Sequence, residues 1–154
     1  MDERMKEIAE IAKVFQLDVE KYENCVLLKS RETGSAIEVS RDEYYIDEKK
    51  DKKFSEFTVR FATQHRHFDE WKDAEAYIRM LLMDERLPIE FYGPGQFGGD
   101  IARDDYFNLS AALFSRHFYY STEELSQFEF EIHSWSGRFD VKRMRVSELP
   151  LKKG

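Results

Sequence analysis

The sequence predicts an α+β fold, in which two or three helices cover one face of a mostly antiparallel sheet of about five or six strands. Phe57, Val59 and Phe61 alternate with polar residues, a pattern typical of a strand with one buried face. An apolar stripe at helical spacing follows this strand, and Pro88 then ends the helix and restarts extended chain. The stripe consists of Trp71, Ala74, Tyr77, Ile78, Leu81 and Leu82.

The length and composition favour one domain that spans residues 1–154. A chain of 154 residues, of which 42% are hydrophobic, has enough apolar side chains for a core of its own. Its 13 Phe residues supply much of that core, and each well-buried Phe contributes roughly 2 kcal/mol. We therefore expect the fold to need neither a disulfide nor a metal.

The negative charge of the chain disfavours two classes of partner, nucleic acid and anionic membrane. The formal net charge is -7, whereas nucleic-acid binding requires a basic face and docking on anionic lipid requires a basic patch. Cys25 is the only cysteine and cannot form an internal disulfide, which is typical of a reducing compartment. The chain begins with charged, helical sequence and contains no stretch long enough to span a bilayer. We expect a cytoplasmic protein that binds neither nucleic acid nor membrane.

The first part of the chain predicts a helix and a hairpin. Residues 2–16 show helical spacing of apolar side chains. Two strands follow, over residues 25–30 and 37–41, and a two-residue turn between them would place Leu28 opposite Val39.

The strand that begins at Phe57 is predicted to continue without a break to Phe68. Because side chains alternate between the two faces of a strand, His65 and His67 should then lie on the same face as Phe57.

The region after Pro88 is harder to assign. Residues 104–120 fit a helix in part and a strand in part, so we predict helix for the first portion and extended chain for the last. Ser121 and Glu124 have the spacing of a capping box at the start of a short helix.

A closing hairpin ends the chain. A two-residue turn at Ser136 and Gly137 would place Ile132 opposite Val141, with a bulge near Arg143 where the alternation slips. In this register Trp135 points away from the core.

A glycine-rich segment carries the clearest sequence motif, since Gly93, Gly95 and Gly98 match a Gly-x-Gly-x-x-Gly pattern. That motif binds nucleotides when a helix follows it, but here Gly99 and Asp100 follow, and Asp100 would repel phosphate. We predict a hairpin or surface loop that binds no nucleotide and no other cofactor.

The two histidines of the long strand raise a second possibility. His65 and His67 share a strand face, and two imidazoles on one face could converge on a metal. The spacing of two residues is the only evidence for this site, so we predict no bound metal and keep a metal-dependent enzyme or small-ligand binder as the alternative function.

Exposed aromatic residues are the remaining functional signal. Trp135 on the predicted outer face, with Tyr119 and Tyr120, could anchor a partner, because Trp and Tyr are frequent hot spots of interfaces. The acidic charge, the aromatic residues and the lack of an assembled catalytic set favour a non-enzymatic protein-binding module with a basic partner. A small inhibitor, such as a toxin-neutralising immunity protein, is one such module.

Overall fold

A computed structural model describes residues 1–45, 53–115 and 120–150, and within these the side chains of residues 43–45 and 53–55 are not described. The chain divides into two compact units, Met1–Leu82 and Met83–Gly154, and each contains one sheet. The α+β class and the antiparallel pairing of strands are confirmed. The strands lie in two sheets where the sequence predicted one, and the single domain over 1–154 stays a prediction.

The Met1–Leu82 unit is a five-stranded antiparallel meander with two α-helices. Its strands pair in chain order, so each strand is joined to its neighbour by a direct connection. The elements are a 3-10 turn at Asp2–Arg4, α1 (Met5–Phe15), β1 (Leu17–Lys21), β2 (Cys25–Ser30), β3 (Ala36–Tyr45), β4 (Lys53–Phe61), β5 (Gln64–Phe68) and α2 (Trp71–Leu82).

Aromatic contacts show that α2 packs on one face of this sheet. The rings of Phe57 and Trp71 lie 5.4 Å apart, and those of Phe68 and Tyr77 are also 5.4 Å apart. The predicted stripe of α2 is buried in full, which confirms the helix and the face it presents to the sheet. The helix ends at Leu82, and Asp84 then adopts a left-handed conformation with φ of 55°.

The register of the β2–β3 hairpin differs from the prediction by two residues. Leu28 pairs with Ile37 rather than Val39, because the connection over residues 31–34, closed by the Ser30 amide on the Ser35 carbonyl at 2.8 Å, is centred one residue earlier than the predicted two-residue turn. A slip of two residues keeps every side chain on its predicted face, since faces alternate with a period of two.

The predicted long strand is in fact two strands. A tight turn at Ala62 and Thr63, with Ala62 at φ of 55°, reverses the chain, and Phe61 pairs with Gln64. His67 therefore pairs with Thr58, so the two histidines lie on the opposite face from Phe57, and their predicted placement on the buried face is wrong.

The Met83–Gly154 unit contains a four-stranded antiparallel sheet in the order β7-β6-β8-β9. The predicted capping box is present, with Ser121 accepting from the Glu124 amide. The elements are β6 (Arg86–Tyr92), β7 (Gln96–Ala102), α3 (Arg103–Tyr106), α4 (Leu109–Ser115), α5 (Thr122–Ser126), β8 (Glu129–Ile132), β9 (Val141–Arg145) and a 3-10 turn at Val146–Glu148.

The helices α3 and α4 confirm the helical assignment for the first part of residues 104–120, whereas residues 116–119 lie outside the described residues. In the closing hairpin Ile132 pairs with Val141, and the register shifts between Phe130 and Ile132. The predicted pairing and the predicted bulge are thus confirmed, whereas the predicted two-residue turn at Ser136 and Gly137 is wrong, because residues 133–140 connect the two strands.

An aromatic and aliphatic cluster forms the core of this unit. Its buried members come from one face of the sheet, from α4 and α5, from the connection before β8 and from the last 3-10 turn, so the short helices pack against the strands. They are Leu87, Ile89, Phe91, Ile101, Leu113, Leu125, Phe128, Phe130, Ile132 and Val146.

Candidate functional site

Trp135 is buried, with 9% of its surface exposed, so the predicted exposure of this side chain is wrong. The alternation of the strand does not reach this residue, because β8 already ends at Ile132. A local turn replaces the strand, in which Asp140 accepts from the Ser134 amide at 2.7 Å and the Gly137 amide donates to the Ser134 carbonyl. A buried indole cannot act as the exposed anchor that the sequence suggested.

The two tyrosines differ in what the structure says about them. Tyr119 lies outside the described residues. Tyr120 is half-buried, with its ring 4.8 Å from that of Phe128 and stacked on Phe97 at 5.5 Å. The ring of Tyr120 therefore packs on the core of its unit, and a binding role for either tyrosine stays a prediction.

The histidines of β5 lie together on the exposed face of the first sheet. The rings of His65 and His67 are 5.0 Å apart, and His67 Nδ1 lies 3.1 Å from Glu56 Oε1 and 3.0 Å from the hydroxyl of Thr58. That hydroxyl donates to Asp42 Oδ2 at 3.0 Å. The cluster is a hydrogen-bonded network across three strands, built around a Thr58 side chain that is fully buried.

Within the described residues, no group of three or more His, Cys, Asp or Glu side chains could hold a metal ion. The absence of a bound metal stays a prediction, as does the alternative of a metal-dependent enzyme that uses His65 and His67.

The glycine motif is part of a hairpin, as predicted. Gly98 pairs with Glu90 and Gly99 with Ile89 in the β6–β7 ladder, and the Gly93 amide donates to the Gly95 carbonyl at 3.1 Å. A side chain at Gly93 would overlap the ring of Phe128, so this glycine is required by packing. The motif thus has a structural explanation that involves no ligand.

Cys25 lies on β2 and is only partly buried. Burial raises the pKa of its thiol, and the neighbouring Glu38 carboxylate raises it further. Since the thiolate is the reactive form, this environment disfavours a nucleophilic role.

An aromatic patch in the Met83–Gly154 unit consists of Tyr106, Phe107 and Phe139, and Phe107 is the most exposed large hydrophobic side chain of the described residues. The three rings meet edge to face, with centroids 5.1 to 6.2 Å apart. Tyr106 and Phe139 are half-buried against the core, whereas Phe107 is 72% exposed. Two rings therefore support a third that projects into solvent.

A groove of about 490 Å³ adjoins the aromatic patch. One wall is formed by residues 106–110, at the junction of α3 and α4, and the other by Leu149 and Pro150. The Ser110 hydroxyl donates to the Pro150 carbonyl at 2.8 Å and joins the two walls. The first wall presents apolar side chains from Phe107 and Leu109 beside the polar groups of Tyr106, Asn108 and Ser110. Tyr106 and Phe107 belong to both the groove and the aromatic patch, so the two form one surface.

Phe107 lies at the junction of two short helices. It is the residue that follows α3, and Asn108 separates it from the first residue of α4. At helical spacing Phe107 lies about 120° around the axis from Leu113, so it is off the face that buries Leu113. The sequence shows Phe107 within a run of two acidic and two aromatic residues, but the break between the helices is not marked by Gly or Pro.

Several polar groups around the groove have no partner within the described residues. They are the hydroxyl of Tyr106, the side-chain amide of Asn108 and the carboxylates of Asp104 and Glu148. By contrast, the first sheet pairs its exposed acids with bases on neighbouring strands, as for Lys29 with Glu20 at 3.0 Å.

A separate polar network lies on the outer face of the second sheet. The Tyr92 hydroxyl donates to Glu131 Oε1 at 2.6 Å, and the Arg143 guanidinium lies 3.5 Å from the centre of the Tyr92 ring. The Tyr92 hydrogen bond lowers the pKa of Glu131, with smaller contributions from His133 and Arg143. The same bond raises the pKa of Tyr92.

We expect Tyr92→Phe to destabilise the protein at neutral pH by about 1.5 kcal/mol, because it removes a hydrogen bond to a charged group and leaves the ring beneath Arg143. The folded pKa of Glu131 is lowered, so its stabilisation is present above the ordinary value of 4.5 and is lost as the pH falls through the folded pKa. Urea unfolding at neutral and acidic pH should show the difference between variant and wild type shrinking in acid.

Tyr22→Phe is the matched control for this measurement, since the exposed Tyr22 hydroxyl donates to Glu20 at 3.0 Å. It should leave stability nearly unchanged at every pH. A Tyr92→Phe effect that persists undiminished in acid would contradict the role assigned to Glu131.

No protein-family model matches the chain, and neither a curated protein nor a solved structure is similar to it. No helix of the described residues is both long and apolar enough to cross a membrane.

Proposed function

We propose that the protein is a non-enzymatic protein-binding module of the cytoplasm, with an inhibitor or immunity protein as its nearest functional type. The observation that carries the proposal is Phe107, an aromatic side chain that is 72% exposed and held by two supporting rings. Binding energy in interfaces concentrates in such aromatic anchors near the centre of the contact.

The architecture of the aromatic patch supports this function. Tyr106 and Phe139 are fixed by the core, so Phe107 is presented with little freedom to lose on binding. The adjoining groove offers apolar walls that a partner could cover, while the unpaired polar groups at its margin could form a hydrogen-bonding rim.

The charge of the protein supports a partner with a basic surface. A net charge of -7 accelerates association with a basic protein and makes that association sensitive to salt. Charge alone gives little affinity at an exposed rim, which is why the aromatic anchor is essential to the proposal.

Replacement of Phe107 by Ala should strongly weaken partner binding without affecting the fold. The side chain is mostly exposed, so we expect a change in unfolding free energy within about 0.5 kcal/mol. Loss of a hot-spot aromatic should weaken the complex by about 2 kcal/mol or more. Tagged wild-type and variant proteins would be used to capture partners from the source cell, and any protein retained would be purified and its affinity measured.

Tyr22→Ala is the control, since it removes another exposed aromatic side chain from the other unit. Wild type and Tyr22→Ala should retain the same partner, and Phe107→Ala should not. A partner bound equally well by Phe107→Ala, or no partner retained by the wild type, would contradict the proposal.

A further inference from the structure

We infer that the groove beside Phe107 binds an extended, cationic segment of a partner protein, which inserts one apolar side chain between Phe107 and the wall formed by Leu149 and Pro150. This inference rests on the proposed function and adds to it the conformation and chemistry of the segment that is recognised.

The apolar part of the groove can bury an apolar side chain of the partner. Its volume of about 490 Å³ lies in the range of binding pockets, and Phe107, Leu109, Leu149 and Pro150 provide apolar surface on both walls. Burying an aliphatic or aromatic side chain there would also cover the exposed ring of Phe107 and remove both apolar surfaces from water.

The polar groups favour an extended segment over a helix. The Asn108 amide, which makes no side-chain hydrogen bond within the described residues, offers two donor hydrogens and one acceptor oxygen at the groove. An extended segment has backbone N–H and C=O groups available to pair with such an amide, whereas those in the interior of a helix are already used. The Tyr106 hydroxyl supplies one more donor at the same wall.

The charges beside the groove favour a cationic segment. Asp104 precedes the first wall by two residues and Glu148 immediately precedes the second, and both carboxylates are exposed and make no ion pair among the described residues. Among the described residues neither Arg103 nor Arg138 forms an ion pair with these carboxylates, since Arg103 donates to the Met83 carbonyl at 3.3 Å and the Arg138 guanidinium lies 6.0 Å from the centre of the Phe139 ring. A basic residue on each side of the inserted side chain would meet one of the two carboxylates.

Selection from a random-sequence peptide library displayed on phage tests the inference without a known partner. Peptides would be selected on the wild-type protein at low salt and counter-selected on Phe107→Ala. We expect the enriched peptides to share an apolar residue flanked by lysine or arginine. Enrichment of acidic or uncharged peptides, or no enrichment that depends on Phe107, would overturn the inference.

The best enriched peptide would then be synthesised and its affinity measured by fluorescence anisotropy. Phe107→Ala should weaken binding by about thirtyfold or more, as for a hot-spot residue. The double variant Asp104→Asn and Glu148→Gln should weaken it about threefold to tenfold at low salt and reduce its dependence on salt. Glu10→Gln with Glu123→Gln removes two other exposed carboxylates, gives the same net charge, and should change binding less than about twofold.

Equal effects of the two double variants would show that only net charge matters, and would overturn the assignment of Asp104 and Glu148. This failure is distinct from failure of the proposed function. A captured partner whose binding requires Phe107 but is indifferent to Asp104 and Glu148 would refute the cationic segment and leave the protein-binding role intact.

Discussion

Trp135→Ala should destabilise the protein by about 3 to 5 kcal/mol, the cost of removing a large aromatic side chain from a buried position. Only 9% of Trp135 is exposed, so truncation leaves a cavity that the surrounding chain can fill only in part. Its neighbour Ser134 is also buried and is held by two hydrogen bonds to Asp140, which limits local collapse. Urea unfolding followed by circular dichroism would measure the loss.

Phe107→Ala is the natural comparison, because it removes a similar area of aromatic side chain from an exposed position. We expect it to unfold at nearly the wild-type urea concentration. The contrast between the two variants separates a buried structural aromatic from an exposed binding aromatic. If Trp135→Ala were as stable as the wild type, the indole would be exposed in solution and would return as a candidate anchor for the partner.

Gly93→Ala should be strongly destabilising, by about 3 kcal/mol, at the upper end of the usual cost of overpacking. A Cβ atom at this position would lie 2.5 Å from Cδ1 and 2.6 Å from Cε1 of Phe128, whose ring is fully buried. The ring cannot move freely, because Phe97 and Tyr120 contact it at 5.5 and 4.8 Å. Thermal unfolding should therefore show a clear decrease in melting temperature.

Gly99→Ala is the matched control within the same hairpin, since a Cβ atom there would have no heavy atom within 4 Å. It should be neutral or slightly stabilising, as alanine reduces the entropy of the unfolded chain. In the Gly93→Ala background, Phe128→Leu should cost less than it does in the wild type, because the smaller side chain relieves the overlap. Additive losses would contradict a clash between these two residues.

Local periodicity was enough to predict several elements from the sequence. The stripe of α2 predicts which face of that helix packs on the sheet, because apolar residues on the buried face of a helix recur about every 3.6 positions. The capping box of Ser121 and Glu124 is a contact within one turn, so the sequence contains both of its partners. The pairing of Ile132 with Val141 was predicted from a turn centred on Ser136 and Gly137, and the connection of eight residues in the structure has the same centre.

The candidate site could not be found in this way. Phe107 is supported by the ring of Phe139, which is distant along the chain, so no local pattern brings the two together. Trp135 lies beyond Ile132, where β8 ends, so the alternation of that strand does not apply to it. Alternation of apolar and polar residues shows that a strand has two unlike faces, but it does not show where that strand stops.

The sequence by itself determined the α+β class, the antiparallel pairing and the amphipathic helices, because each depends on contacts between residues close along the chain or on composition. The tertiary structure decided that the strands form two sheets, and that a turn at Ala62 and Thr63 moves His65 and His67 to the exposed face. It also decided that Phe107 rather than Trp135 meets solvent. The physical reason is that a turn of two residues reverses the chain and exchanges the faces of every residue after it, a change that leaves the local pattern of side chains almost unaltered.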